Sequence, residues 1–190
     1  MKVRGGDWTF ASLGVAALVL LVSIGSASAA DPSETAKTLG KLHHSNQMEI
    51  EMGKLAQEKG VSREVKSFGK KLVIDHGAAD RKVMALARTQ KIDLMAAMPA
   101  TNDDTMVQLR TAKGPEFDKV FARVMLEDHT KDVNEAAEAR DSTKDAQLKS
   151  LLVATIPVLE QHRDTAQRLV DTLGNPAPGT AGTMPAIPNQ

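Results

Sequence analysis

Cysteine is missing from all 190 residues, and past residue 30 so are tryptophan and tyrosine. The first absence excludes disulfides, thiolate metal sites, cysteine nucleophiles and a lipid-modified cysteine behind a leader. The second leaves Phe68, Phe117 and Phe121 as the aromatic residues of the body of the chain. Base stacking, sugar stacking and aromatic cation cages therefore have little to build on. No sign of charge dominates, since 24 Lys and Arg balance 24 Asp and Glu, so nothing points to nucleic acid. Neither a Gly-x-Ser-x-Gly elbow nor a glycine-rich phosphate loop occurs. Paired-carboxylate glycosidase chemistry would need a sugar cleft that so few aromatics do not suggest.

A long hydrophobic run is also missing. Phe10 to Ile24 is apolar, but a membrane span needs about 20 residues. Lys2 and Arg4 precede the run and Ala27-Ser28-Ala29 follows it, the pattern of a signal peptide over 1–29 that is removed on export. The expectation is a periplasmic or extracellular protein of the cell envelope, with no stable membrane span after cleavage. The Pro/Gly/Ala/Thr-rich segment 175–190 reads as a disordered tail. Between them, residues 30–174 are long enough to bury a core without disulfides.

Those residues carry helical periodicity. Asp31 reads as an N-cap with Pro32 at N1 and Glu34 in the capping-box position, opening a first helix that ends near Lys59. Its inward stripe is Leu42, Ser45, Glu49, Met52 and Ala56, with Met48 and Leu55 beside it. A second helix follows Ser62 and runs to about Thr89, with Val65, Phe68, Leu72, Val73, His76, Ala79, Val83, Leu86 and Ala87 at amphipathic spacing. Lys91 to Gly114 is a long connection containing Met95, Met98 and Pro99, with a short helix from Asp103 to Ala112 that turns Met106 and Leu109 inward. A third long helix runs from Pro115 to about Arg140 on a stripe of Phe117 or Asp118, Phe121, Met125, Leu126, His129, Val133 and Ala136. The fourth spans about Lys144 to Leu173, turning Leu148, Leu151, Leu152, Thr155, Val158, Leu159, His162, Ala166 and Leu169 inward. Pro157 within it should bend it. The expected architecture is all-α: a four-helix bundle with a long crossover between its second and third helices.

Three histidines thus sit on inward stripes of different helices. With the crossover returning to the top of the bundle, Glu49, His76, His129 and His162 fall within roughly 6 Å of one level, at about 1.5 Å per residue. His43-His44 reads as an exposed pair, and the methionines at 95, 98 and 106 as packing for the crossover.

Glu49-Ile-Glu-Met-Gly53-Lys-Leu-Ala and Val65-Lys-Ser-Phe68-Gly-Lys-Lys-Leu-Val-Ile-Asp75-His76 resemble the bacterial domain of unknown function 4142 family. Phe117-Asp118 leading to Asp128-His129, and Ile156-Pro157-Val-Leu-Glu-Gln-His162, resemble its second half. The resemblance spans about Thr35 to Leu173. It implies a ferritin-like fold, export to the envelope and no established activity, and it sets Glu49, Asp75, His76, His129 and His162 at characteristic positions.

Two readings of the layer compete. In one, Glu49, His76, His129 and His162 hold one transition-metal ion (Zn, Cu, Ni or Fe), with Asp75 and Asp128 first, and Asp80 or Asp132 besides, orienting the rings. In the other, a metal-free structural or stress-related envelope protein keeps the histidines as a hydrogen-bonded polar layer. A metal-dependent oxidoreductase ranks third, and the chain leans away from being an enzyme. Ferritin-type di-iron chemistry fits poorly, because it uses Glu-x-x-His on one helix face. Here Val73, Leu126 and Leu159 stand three before the histidines. The pattern specifies neither a protein partner nor a homo-oligomer.

Overall fold

The computed structural model describes residues 32–97 and 104–174. The leader over 1–29, the cap at Asp31, Met98, Pro99, Asp103 and the tail 175–190 lie outside the described residues. Four long helices, α1 (Pro32–Lys59), α2 (Arg63–Thr89), α5 (Pro115–Ser142) and α6 (Ala146–Gly174), enclose the core, and two short ones, α3 (Leu94–Ala97) and α4 (Asp104–Thr111), mark the crossover. Among the described residues there is no strand, and no helix is long and apolar enough to cross a membrane.

Local chemistry sets the ends. Ser62 caps α2 by accepting the Val65 N–H at 3.2 Å, which satisfies one of the orphan donors of a first turn. Asp145 caps α6 through the N–H groups of Gln147 and Leu148, at 2.8 and 3.0 Å; this start lies two residues beyond the Lys144 expected from periodicity. At one end of the bundle Asp118 reaches from α5 to the α1–α2 turn and accepts from the N–H groups of Val61 and Ser62, at 2.9 and 2.8 Å. At the other end Gln90 donates to Asp145 at 2.6 Å. The crossover therefore climbs the full height of the bundle, with α3 packed on α1 near Gly40 and the α4 carbonyls of Leu109 and Arg110 held by Lys59. The helices run up, down, down and up, in cyclic order α1, α2, α6, α5.

One contact fixes the register of α1 against α2. A Cβ on Gly53 would stand 2.6 Å from the Gly69 carbonyl oxygen, and one on Gly69 would stand 2.6 Å from that of Gly53. Only paired glycines permit so close an approach of two backbones. Seven residues before Gly53 stands Asn46, and seven after Gly69 stands His76. Two turns below the glycine contact, those two side chains hydrogen-bond at 2.9 Å.

The apolar interior falls into two clusters. One holds Phe68, Leu72, Phe117, Phe121 and Met125 with Met106 and Leu109 from α4; the other holds Leu39, Val83, Ala87, Leu148, Leu152 and Leu159. The expected stripes are borne out with local rotations. Leu39 and Asn46 are buried on α1, whereas Leu42 and Ser45 are only half-buried. On α6 Val158 is exposed and Ile156 is buried instead, because the stripe turns slightly about the axis. The helix runs unbroken through Pro157, whose ring lies on the exposed side, where water can satisfy the carbonyl that loses its partner.

Candidate metal centre

Between the two apolar clusters lies a buried polar layer. Glu49 is 1 % exposed, His76 3 %, and His129 and His162 0 %. One ring nitrogen from each of His76, His129 and His162 lies within 4.8 Å of the other two. The ring centroids are 5.1 to 5.5 Å apart. Three helices thus meet at one level, as the height count requires.

Each ring is held from outside by an acceptor. His76 Nδ1 donates to Asn46 Oδ1 at 2.9 Å, His129 Nδ1 to the Met125 carbonyl at 2.9 Å, and His162 Nε2 to Asp75 Oδ2 at 2.9 Å. The carbonyl and the carboxylate can only accept, so the proton on His129 and His162 is assigned to the outer nitrogen. The inner nitrogens, His76 Nε2, His129 Nε2 and His162 Nδ1, are then lone pairs. His129 Nε2 and His162 Nδ1 face each other at 3.2 Å, and His76 Nε2 has no partner at all.

Burial keeps these rings neutral. It pushes His76 well below the ordinary histidine range, with neighbouring His129 and His162 adding to the shift. Burial and His162 together push His129 down to about 4, and burial lowers His162 although Asp75 works in the opposite direction. Asp75 itself is pushed up by burial, but hydrogen bonds from Lys71 and His162 outweigh this and leave it below the usual carboxylate range. A neutral imidazole offers its lone pair to a metal without a proton to displace.

The four residues expected as ligands all reach the layer, but only the histidines converge. Glu49 Oε1 lies 3.7 Å from His129 Nδ1, on the outer side of that ring, and Oε2 is buried without a partner. Burial, reinforced by the charges of Asp128 and Asp132, raises Glu49 well above its ordinary value. Of the residues expected to orient the rings, Asp75 does so for His162 across the α2–α6 interface rather than for its neighbour His76. Asp128 faces Glu49 and Asp132 and, among the described residues, hydrogen-bonds no imidazole. Asp132 accepts from Ser45 at 2.7 Å. Asp80 accepts from His43 and Gln47 at 2.6 and 2.7 Å. His43 is therefore not an exposed residue: its side chain is 14 % exposed and locked to Asp80. Sequence reasoning missed Asn46, whose one signal was its place on the inward face one turn before Glu49.

The family model described as "Domain of unknown function (DUF4142)" matches residues 23–169. The chain belongs to this family. Among solved structures it is similar to one titled "CopM in the Cu(II)-bound form", with a TM-score of 0.59 and 17% identity over 74% of this chain and 95% of that one. At that identity the likeness carries the helical-bundle fold alone. No curated protein matches.

The donor set itself can be tested for fit. Three neutral imidazoles with converging lone pairs suit zinc, copper, nickel or iron. Outer nitrogens tied to a carboxylate, a carbonyl and an amide oxygen are the arrangement that orients metal-bound histidine. The residues fit a transition metal.

Proposed function

We propose that this protein binds one transition-metal ion through His76, His129 and His162, and that the ion is copper. The observation that carries this reading is the 3.2 Å approach of two lone-pair nitrogens, with the unpartnered His76 Nε2 beside them. Two lone pairs at that distance repel unless a cation offsets them. A proton is a poor candidate where burial holds His129 down to about 4. Copper is preferred because nitrogen sites bind Cu2+ more strongly than the other first-row divalent ions. A structure of similar fold bears Cu(II) in its title, which agrees with the choice. The buried Glu49 carboxyl, which burial holds toward its neutral form in the metal-free protein, would ionise beside a bound cation and supply the counter-charge that a buried cation requires.

A purely structural polar layer is the competing reading. Buried polar groups are nearly always hydrogen-bonded, yet His76 Nε2 and Glu49 Oε2 are not, and this favours the metal. The basic start, apolar core and Ala27-Ser28-Ala29 further support export, so that the ion would be met outside the cytoplasm.

Elemental analysis tests the proposal. After incubation with excess copper(II) and desalting, the wild-type chain should carry about one ion and the His76→Ala/His129→Ala variant none, with its helical circular dichroism retained. Copper retained by the double variant, or absent from the wild type, would overturn the reading.

A further inference from the structure

The histidine layer is not sealed on every side. A cavity of about 510 Å³ runs between α1 and α5, lined at its outer end by exposed Glu34, Lys41 and Glu138 and at its inner end by buried Glu49, Asn46 and His76. Of the three histidines, only His76 is part of its wall. The α1–α5 edge is where the bundle is least tightly joined, since each hairpin packs chiefly within itself.

We propose that this groove is the route by which the metal ion enters, with Asp132, Asp128 and Glu49 as successive carboxylates leading inward to His76 Nε2. The inference rests on the metal-binding reading above and adds the path to it. Six carboxylates line the cavity (Glu34, Glu49, Asp128, Asp132, Glu135 and Glu138) against two lysines, Lys41 and Lys131. Both lysines pair with Glu135, at 3.5 and 3.7 Å, which holds them toward the outer part of the groove. A cleft lined by one sign of charge with low-dielectric walls concentrates counter-ions and accelerates their capture.

The acidic lining would mean little without its inner end. There the carboxylate of Glu49, 1 % exposed, keeps Oε2 unpartnered, and His76 Nε2 is likewise buried without a partner. Both residues stand in the inner wall of the acidic groove, so a cation in transit would reach them last before the histidine layer. Ser45 and Asp132 both line the groove and join α1 to α5 across it, at 2.7 Å.

Stopped-flow mixing of the purified metal-free protein with copper(II) separates route from site. Ser45→Phe puts bulk into the groove at that bridge and replaces none of the three histidines. It should slow copper uptake and, against a chelator, copper release by a similar factor, leaving Kd within about twofold because a route changes both rates together. Asp128→Asn/Asp132→Asn keeps the shape of the groove and removes two of its six carboxylates; uptake should slow about tenfold and its ionic-strength dependence should weaken. Thr165→Phe, on the α2–α6 side, should leave both rates unchanged. If Ser45→Phe does not fold, the charge variant decides alone. Wild-type uptake rates in the groove variants, or slowing by Thr165→Phe instead, would overturn the route while leaving copper binding intact. A wild-type chain that takes up no copper would overturn the site and the route together.

Discussion

Two histidine groups, one half-buried and one fully buried, stand about one turn apart on the α1–α2 hairpin, and they are wired in opposite senses. In the first, His43 and Gln47 both donate to Asp80, at 2.6 and 2.7 Å, and each carboxylate oxygen is answered. In the second, His76 turns Nδ1 outward to Asn46 and leaves Nε2 facing two further histidines with no partner. The first group is closed by its own carboxylate, so it ties α1 to α2 and asks for nothing more. The second puts its acceptors outside the ring cluster and its lone pairs inside. The second group is the more deeply buried of the two, and the direction of its hydrogen bonds marks it as the site.

Substitutions at the outer acceptors sharpen this contrast. Asn46→Ala or Asp75→Asn removes a partner that fixes ring orientation, and copper affinity should fall about 10- to 100-fold by competition titration, the usual cost of such changes. Asp80→Asn should leave that affinity unchanged, because no metal-facing ring depends on it. Its cost should appear in stability instead, about 1–3 kcal/mol by urea denaturation, since two donors lose a charged acceptor. An Asp80 variant that loses copper would break the distinction between the groups.

A smaller effect concerns the acids beside the open group. Burial, with Asp132 and Glu127 adding repulsion, pushes Asp128 up to about 6 from an ordinary 3.8, although Lys131 opposes the shift. A carboxyl whose folded value is raised binds more protons folded than unfolded, so it destabilises the fold at neutral pH and ceases to do so in acid. Asp128→Asn should therefore raise the metal-free stability at pH 7.5, by at most about 3 kcal/mol, read as a higher melting temperature. The advantage should shrink as pH falls from about 6 toward 4. The histidines act oppositely: their lowered values cost stability as pH drops below about 6.5. Without Asp128 to offset them, the variant should lose stability more steeply in acid. A constant difference between variant and wild type across that range would contradict the placement of Asp128.

The long helices were legible because an apolar stripe repeating every 3.6 residues needs no knowledge of its neighbours. Ser62 and Thr89 bracket α2 where that periodicity sets them. The shared level of His76, His129 and His162 was legible too, since helix rise converts residue counts to height. What the stripe does not hold is rotation about each axis. Asn46 faces inward because Gly53 meets Gly69 at close range, a contact between two helices rather than a property of one. Asp75 serves His162 because α2 lies next to α6. Glu49 reaches the layer but stands behind His129 rather than among the converging nitrogens, a matter of side-chain direction that spacing cannot supply.

The most direct test of the central claim counts imidazoles on the metal. X-ray absorption of the protein loaded with one equivalent of copper(II) should reveal the scattering of three histidine rings, falling to two in His162→Ala. Fewer than three imidazoles in the wild type, or a count that His162→Ala leaves unchanged, would contradict a centre formed by the inner nitrogens of His76, His129 and His162.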